Sequence, residues 1–235
     1  MSRATNNGSP FAAAPNTASR RRVAFVTAFG DVLASADDLA AVYGPPVDAV
    51  TNKIIDRLDG HCRDFIARAP FVLVATADAA GNCDVSPKGG APGFVQVLDA
   101  QRLAIPDAPG NKLVYSLRNI VDTGRVGLLF VIPGLEETLR VNGRACVTRD
   151  PRLLERFVGE GKPPRLAVGV EVEQAFLHCA KAFKRSALWR PDEWMVADGL
   201  AAPAQIWRDH MALDLTTHDV QQFVDDDYAN NLTWR

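Results

Sequence analysis

The spacing of apolar residues changes near position 70, and the change separates a helical beginning from a β-rich middle. Upstream, SADDLAAVYG reads as a capped helix, with Ser35 at the N-cap, Asp37 and Asp38 in the first turn, and Gly44 just past the end. Val50, Ile54, Ile55, Leu58, Cys62, Phe65 and Ile66 then recur at helical spacing. They predict one helix over Val47–Ala69 that Pro70 stops. Downstream the runs are short and rich in β-branched residues: FVLVAT (71–76), CDVSP (83–87) across a turn, GFVQVLD (93–99), RLAIPD (102–107), RVGLLFVI (125–132), ETLRVNGRACV (137–147) and RLAVGVEV (165–172). Helical patterns fit 111–122 and, with Pro151 at its start, 151–159. About seven short strands with few long helices between them predict a mainly β fold with flanking helices, an antiparallel barrel rather than a doubly wound parallel sheet. After Phe176 the chain reads as helical and polar, with weakly amphipathic segments at 204–210 and 217–228.

Composition narrows the class. The chain has 235 residues, 47% apolar and 23% charged, which is ordinary for a globular protein. Lys and Arg number 26 against 28 Asp and Glu, a formal charge of −2, so the basic excess that neutralises nucleic-acid phosphates is missing. A local positive pocket for a small phosphorylated ligand remains compatible with that balance. Cys62, Cys83, Cys146 and Cys179 are widely spaced with no C-x-x-C pair, and read as reduced thiols. Residues 1–22 lack both periodicity and an apolar signal core, so they read as a disordered tail of a cytoplasmic protein. The expected layout is this tail, one domain over 23–195 including the N-terminal helices, and a helical extension over 196–235.

Four polar clusters could carry chemistry. In Asp84-Val85-Ser86-Pro87-Lys88-Gly89-Gly90, Ser86 and Lys88 lie two apart and share one face of an extended chain. A hydroxyl and an ammonium beside glycines suit a phosphate or an electron-rich ring, although the same residues are also plain turn chemistry. Asp107-Ala108-Pro109-Gly110-Asn111-Lys112 leads into a helix whose N-terminus would favour an anion, with Asn111 as cap; a simply capped helix is the other reading. Arg140 and Arg144 share a strand face with Asn142, facing either an anionic partner inside a barrel or solvent with salt bridges. Finally, reading 176–189 as a helix puts Lys181, Arg185 and Trp189 on one line, which suits a planar anion or a subunit interface. The pairs His61-Cys62 and His178-Cys179 do not chelate a metal unaided, and no zinc, Walker, Rossmann or nucleophile-elbow motif occurs.

Taken in order, D-V-S-P-K-G-G, P-G-F-V-Q-V-L-D, L-A-I-P-D-x-x-G-N, S-L-R-N, V-G-L-L-F-V-I-P-G, E-T-L-R-V-N-G-R-A and F-L-H-C-A-K-A-F-K-R-S-x-L-W resemble a branch of the pyridoxamine 5′-phosphate oxidase-like family over about residues 35–195. The resemblance implies an FMN-binding split β-barrel and a homodimer with FMN at the subunit interface. It implies that Ser86, Lys88 and Gly89 line the isoalloxazine or ribityl side, and that Asn111, Lys112, Ser116 and Asn119 serve the ribityl chain and phosphate. Arg140 would sit near the cofactor, and Lys184, Arg185 and Trp189 would come from the other subunit's tail.

One departure bears on substrate. The oxidase holds its substrate with an R-L-H motif near its C-terminus, where this chain has Lys184-Arg185-Ser186-Ala187 and a further 45 or so residues. The expected function is therefore an FMN-dependent oxidoreductase acting on a small molecule other than pyridoxamine phosphate. No acid–base residue stands out in the sequence, and the flavin would carry the redox chemistry. The alternatives are a non-catalytic flavin- or haem-binding sensor or carrier, with His178 or His61 as haem ligand, and an F420-dependent reductase.

Overall fold

The computed structural model describes residues 28–108, 110, 112–158, 163–195 and 199–231. The predicted N-terminal tail and Asn111 lie outside the described residues. Contacts divide the chain into a unit ending at Asp48 and a larger one beginning at Ala49. The first unit contributes α1 (Ala36–Tyr43), capped as the sequence predicts. Ser35 Oγ accepts from the Asp38 amide, the Asp38 carboxylate accepts from the Ser35 amide, and Gly44 ends the helix at φ 70°.

The helix expected over 47–69 is two helices. After the single turn α2 (Asp48–Thr51), Ile55 exchanges two backbone hydrogen bonds with Ala175, which pulls residues around it into extended pairing. Asp59 then starts a fresh helix, α3 (Gly60–Arg68), its carboxylate accepting from the Cys62 amide. Leu58 and Ile66 are fully buried on the sheet side. The strand pairing thus overrides a helical period that is real in the sequence.

Seven antiparallel strands follow: β1 (Phe71–Ala77), β2 (Cys83–Gly89), β3 (Gln96–Val97), β4 (Arg102–Pro106), β5 (Arg125–Val131), β6 (Thr138–Thr148) and β7 (Ala167–His178), in the order β2-β1-β5-β6-β7-β4-β3. The mainly β expectation and the strand count hold. The run 93–99 shrinks to a two-residue strand, while β7 continues six residues past its expected end and absorbs Phe176, Leu177 and His178, which the sequence reading made helical. Helix α4 (Tyr115–Thr123) packs on the inner face through Leu117 and Ile120, together with Val72, Val74, Leu128, Phe130 and Val141. The predicted 151–159 helix is one turn, α5 (Pro151–Leu154), followed by a 3-10 turn to Phe157, and it covers Ala104 and Ala167 from the outer side. After β7 come α6 (Lys181–Ser186), α7 (Pro203–His210) and α8 (Thr217–Asn231). All four cysteines are free thiols, and burial beside Asp59 pushes Cys62 up to about 11. Among the described residues, no helix is long and apolar enough to cross a membrane.

The longest ladder, β6 with β7, contains a bulge. Asn142 faces Gln174 and Gly143 faces Val172, so Glu173 has no partner in the register. Val168, Val170 and Val172 point into the core; past the bulge the phase inverts and Ala175 takes the inward position, leaving Phe176 and His178 on the outer face. The extra backbone needs room, and Gly143 provides it: a Cβ there would stand 2.0 Å from the Glu171 carbonyl oxygen. Glu173 itself is tied down by Arg125 at 2.7 Å and Arg144 at 3.8 Å. Gly143→Ala is expected to lower unfolding free energy by about 3 kcal/mol or more, the upper end of overpacking costs, because backbone rather than a mobile side chain must move. Urea denaturation reads this, and a loss under about 1 kcal/mol would mean that the bulge is easily displaced.

Candidate functional site

Pairing register sorts the predicted site residues by face. Ser86 pairs with Val74 and Lys88 with Val72, both core residues, so Asp84, Ser86 and Lys88 project half-buried on the inner face of the edge strand β2. Gly89 ends that strand. Helix α4 stands over this face. Ser116 Oγ donates to the Asp84 carboxylate at 2.8 Å, and Asn119 Nδ2 donates to Thr76 Oγ1 at 3.0 Å. Ser116 and Asn119 are both buried, and each commits its side-chain donor to fixing α4 on β1 and β2. Asp107, at the end of β4, completes the group: burial raises its carboxyl above the ordinary carboxylate value, and the Lys88 ammonium opposes that rise.

The helix expected to begin at Asn111 begins at Tyr115. Val114 occupies the cap position at φ 49°, with no side-chain cap, and Lys112 is also left-handed at φ 62° and exposed. A β-branched residue in this region is an outlier, so the connection from β4 into α4 is strained where the sequence suggested a regular cap. The helix N-terminus is thus that of Tyr115–Leu117, and Lys112 belongs to the loop before it.

Arg140 lies on the other face. It pairs with Leu129 on one side and Phe176 on the other, and its guanidinium stands 5.4 Å from the Phe176 ring centroid. Lys53 reaches the same ring from the segment before α3, 5.6 Å from the centroid, and donates to the Leu177 carbonyl at 3.1 Å. His178 is half-buried beside them; burial first, and then Arg140 and Lys53, hold its imidazole below the usual histidine value. Arg144, on the same strand face, takes the solvated role instead, pairing with Glu171 at 2.8 Å. So the two arginines that the sequence could not separate have different settings. Between them an open groove of about 320 Å³ runs over Gly127 and Gly143, walled by Asn142, Arg125 and Glu173.

The predicted line of Lys181, Arg185 and Trp189 does not form, because Ala187 at φ 51° ends α6 before Trp189. Trp189 Nε1 donates to the Leu135 carbonyl at 2.9 Å, its ring lies 5.7 Å from that of Phe183, and Lys184 pairs with Glu136. Lys184 and Trp189 therefore clasp the β5–β6 turn of their own chain, while Arg185 is exposed. His61 is exposed on α3. The sequence reading missed Lys53, Asp107 as an acid, and Phe176 as the ring beneath Arg140. The adjacent polar pair Glu173-Gln174, which breaks the Val168-Val170-Val172 alternation, was the signal for the last.

The seven-stranded antiparallel sheet with its flanking helices is a split barrel of the flavin-binding oxidoreductase type. The family model described as pyridoxamine 5′-phosphate oxidase matches residues 58–179, just over half of the chain, and the chain belongs to that family. Among solved structures it is similar to HupZ of Group A Streptococcus (21% identity, 51% of this chain and 92% of that one, TM-score 0.42). It is also similar to a protein related to general stress protein 26 from Clostridium acetobutylicum (12%, 50% and 85%, TM-score 0.39) and to an F420 reductase (20%, 49% and 94%, TM-score 0.35). A comparison with curated protein sequences gave no match.

Asp107 gives a test of the inner-face geometry. A carboxyl raised in the folded state favours folding below its ordinary value of 3.8 and loses that contribution as pH climbs through its folded value. Asp107→Asn is therefore expected to raise the urea midpoint at about pH 7 and leave it nearly unchanged at about pH 3. Identical midpoints at neutral pH would show Asp107 to be well solvated.

Proposed function

We propose that the protein is an FMN-dependent oxidoreductase acting on a small organic molecule, and that it works as a homodimer. The observation that carries this reading is the half-buried inner-face group of Ser86, Lys88 and Asp107 under α4. Its donors and acceptors match a ribityl phosphate: the Lys88 ammonium suits the phosphate or an electron-rich ring edge, the Ser86 hydroxyl serves either role, and the carboxylates of Asp84 and Asp107 accept from ribityl hydroxyls. Lys112 is exposed on the loop that leads from β4 into α4. Gly89 leaves the end of β2 without a side chain, so backbone can approach a planar ring.

When bound, FMN would supply hydride or electron transfer, and the chain would supply binding, orientation and polarity. Two features support a dimer. The outer sheet face carries Phe71, Leu73, Val85 and Leu129 exposed or half-buried, an apolar surface of the kind that another chain covers. Moreover, Lys88 and Arg140 project from opposite faces of one sheet, so a ligand bounded by both faces is bounded by two chains. Pyridoxamine phosphate is not the expected substrate. Lys184 and Arg185 stand where the oxidase's substrate motif would be, and Lys184 is engaged with Glu136.

Purified protein is expected to be yellow or to become so on adding FMN. Lys88→Ala is expected to weaken FMN binding by about 1–3 kcal/mol, the range for a lost charge-assisted hydrogen bond, as read by fluorescence titration. Protein that stays colourless with FMN would overturn the reading. A haem carrier is the second reading, with half-buried His178 at the end of β7 as the ligand; a Soret band lost in His178→Ala would select it.

A further inference from the structure

Helices α4 and α8 present solvent faces of inverse pattern. On α4, Ser116, Leu117, Asn119 and Ile120 turn inward, which leaves Arg118 in the middle of the opposite side. Val114 lies one turn before it, the Arg118 amide donating to the Val114 carbonyl at 3.0 Å, and Val121 lies one turn after it. Val114 is 41% exposed and Val121 71%. Among the described residues Arg118 has no acidic partner, although Asp122 lies one turn on; Arg102, Arg125 and Arg144 each have one. This face is a cation between two bare aliphatic side chains.

On α8 the order is reversed. Arg208 of α7 donates to Thr217 Oγ1 at 3.0 Å, and Val220 and Val224 follow Thr217 on the same side, so that side closes against α7. The neighbouring face carries Phe223, 73% exposed, with Asp219 one turn before it and Asp226 one turn after. Their offsets from Phe223 are those of the two valines from Arg118. Residues 203–231 hold six aspartates against one arginine, and α8 has no lysine or arginine of its own. The charge of Asp225, Asp226 and Asp227 is therefore balanced by no cation of that helix.

Displaced by one turn, the two faces set apolar against apolar and cation against carboxylate. Asp219 already accepts from the Thr216 amide and hydroxyl, which leaves Asp226 for Arg118 and brings Phe223 onto Val121 in an antiparallel crossing. Within one chain both faces are open at once, since Val121 and Phe223 are each more than two-thirds exposed. A second copy covers both together: α8 of each chain lies on α4 of the other, and a two-fold axis closes the pair. We propose that α8 is a docking arm for a second copy of this chain and that the solvent face of α4 is its receptor. Because α4 stands over Ser86 and Lys88, each chain braces the roof of the other's inner-face site. This docking rests on the homodimer of the proposed function and names an element that holds it.

Arg118→Glu and Asp226→Lys, both at exposed positions, are prepared as FMN-saturated full-length proteins. Each is studied alone and after mixing, with one variant isotopically labelled, by sedimentation and native mass spectrometry. Alone, each variant opposes like charges at both contacts of its homodimer and is expected to associate at least about tenfold more weakly than the wild type. In the mixed dimer one contact keeps the native pair and the other joins the two substitutions. The mixed species should therefore exceed its statistical half and associate as the wild type does. Dimers of wild-type strength from both variants, mixing statistically, would overturn the docking and leave the homodimer reading standing. Recovery in the doubly substituted chain without recovery on mixing would place α8 on its own α4 and overturn the second copy. Wild-type protein that sediments as a single chain with FMN bound would remove the homodimer reading and this docking with it.

Discussion

The pairing of β6 with β7 around the Glu173 bulge is the constraint on which the arrangement of polar groups depends. One extra residue in β7 inverts its phase, and so decides which side chains beyond it meet the core and which meet Arg140. The bulge is possible because Gly143 leaves its facing position empty, and it is anchored by the ion pairs of Glu173 with Arg125 and Arg144. A β7 of regular phase would send Phe176 and His178 inward beside Val168, Val170 and Val172. The outer face would then have an arginine with no ring beneath it.

From that geometry follows a division of labour between the two faces. The inner face of the edge strand holds Ser86 and Lys88 with Asp107 and α4, and α4 is pinned by the Ser116–Asp84 and Asn119–Thr76 hydrogen bonds. These two buried residues hold the helix over that face. The outer face holds the cationic group around Phe176 within a largely apolar surface. Lys184 and Trp189, bound to the β5–β6 turn, close the end of the sheet at which that group sits.

Much of the architecture was legible in the sequence. Short β-branched runs with turn residues between them marked all seven strands, and the Ser35–Asp38 capping box and the Ser86–Lys88 alternation were readable from spacing alone. The failures share a cause: each is a place where a partner distant in sequence outweighs local pattern. The helical period of 47–69 is interrupted because Ile55 pairs with Ala175. The helical reading of Phe176–His178 fails because β6 is long enough to extend β7 past the bulge. The regular cap expected at Asn111 gives way to a strained approach through Lys112 and Val114. Lys53 could not be found from its neighbours, since its setting is made by a ring and a carbonyl more than a hundred positions away.

In the proposed function, one flavin is bounded by two chains, the inner face of one and the outer face of another. Native mass spectrometry of the FMN-saturated protein tests this most directly. The expected result is a dimer that carries two FMN molecules and releases them when it is dissociated. A single chain that retains FMN, or a dimer that takes up none, would contradict it.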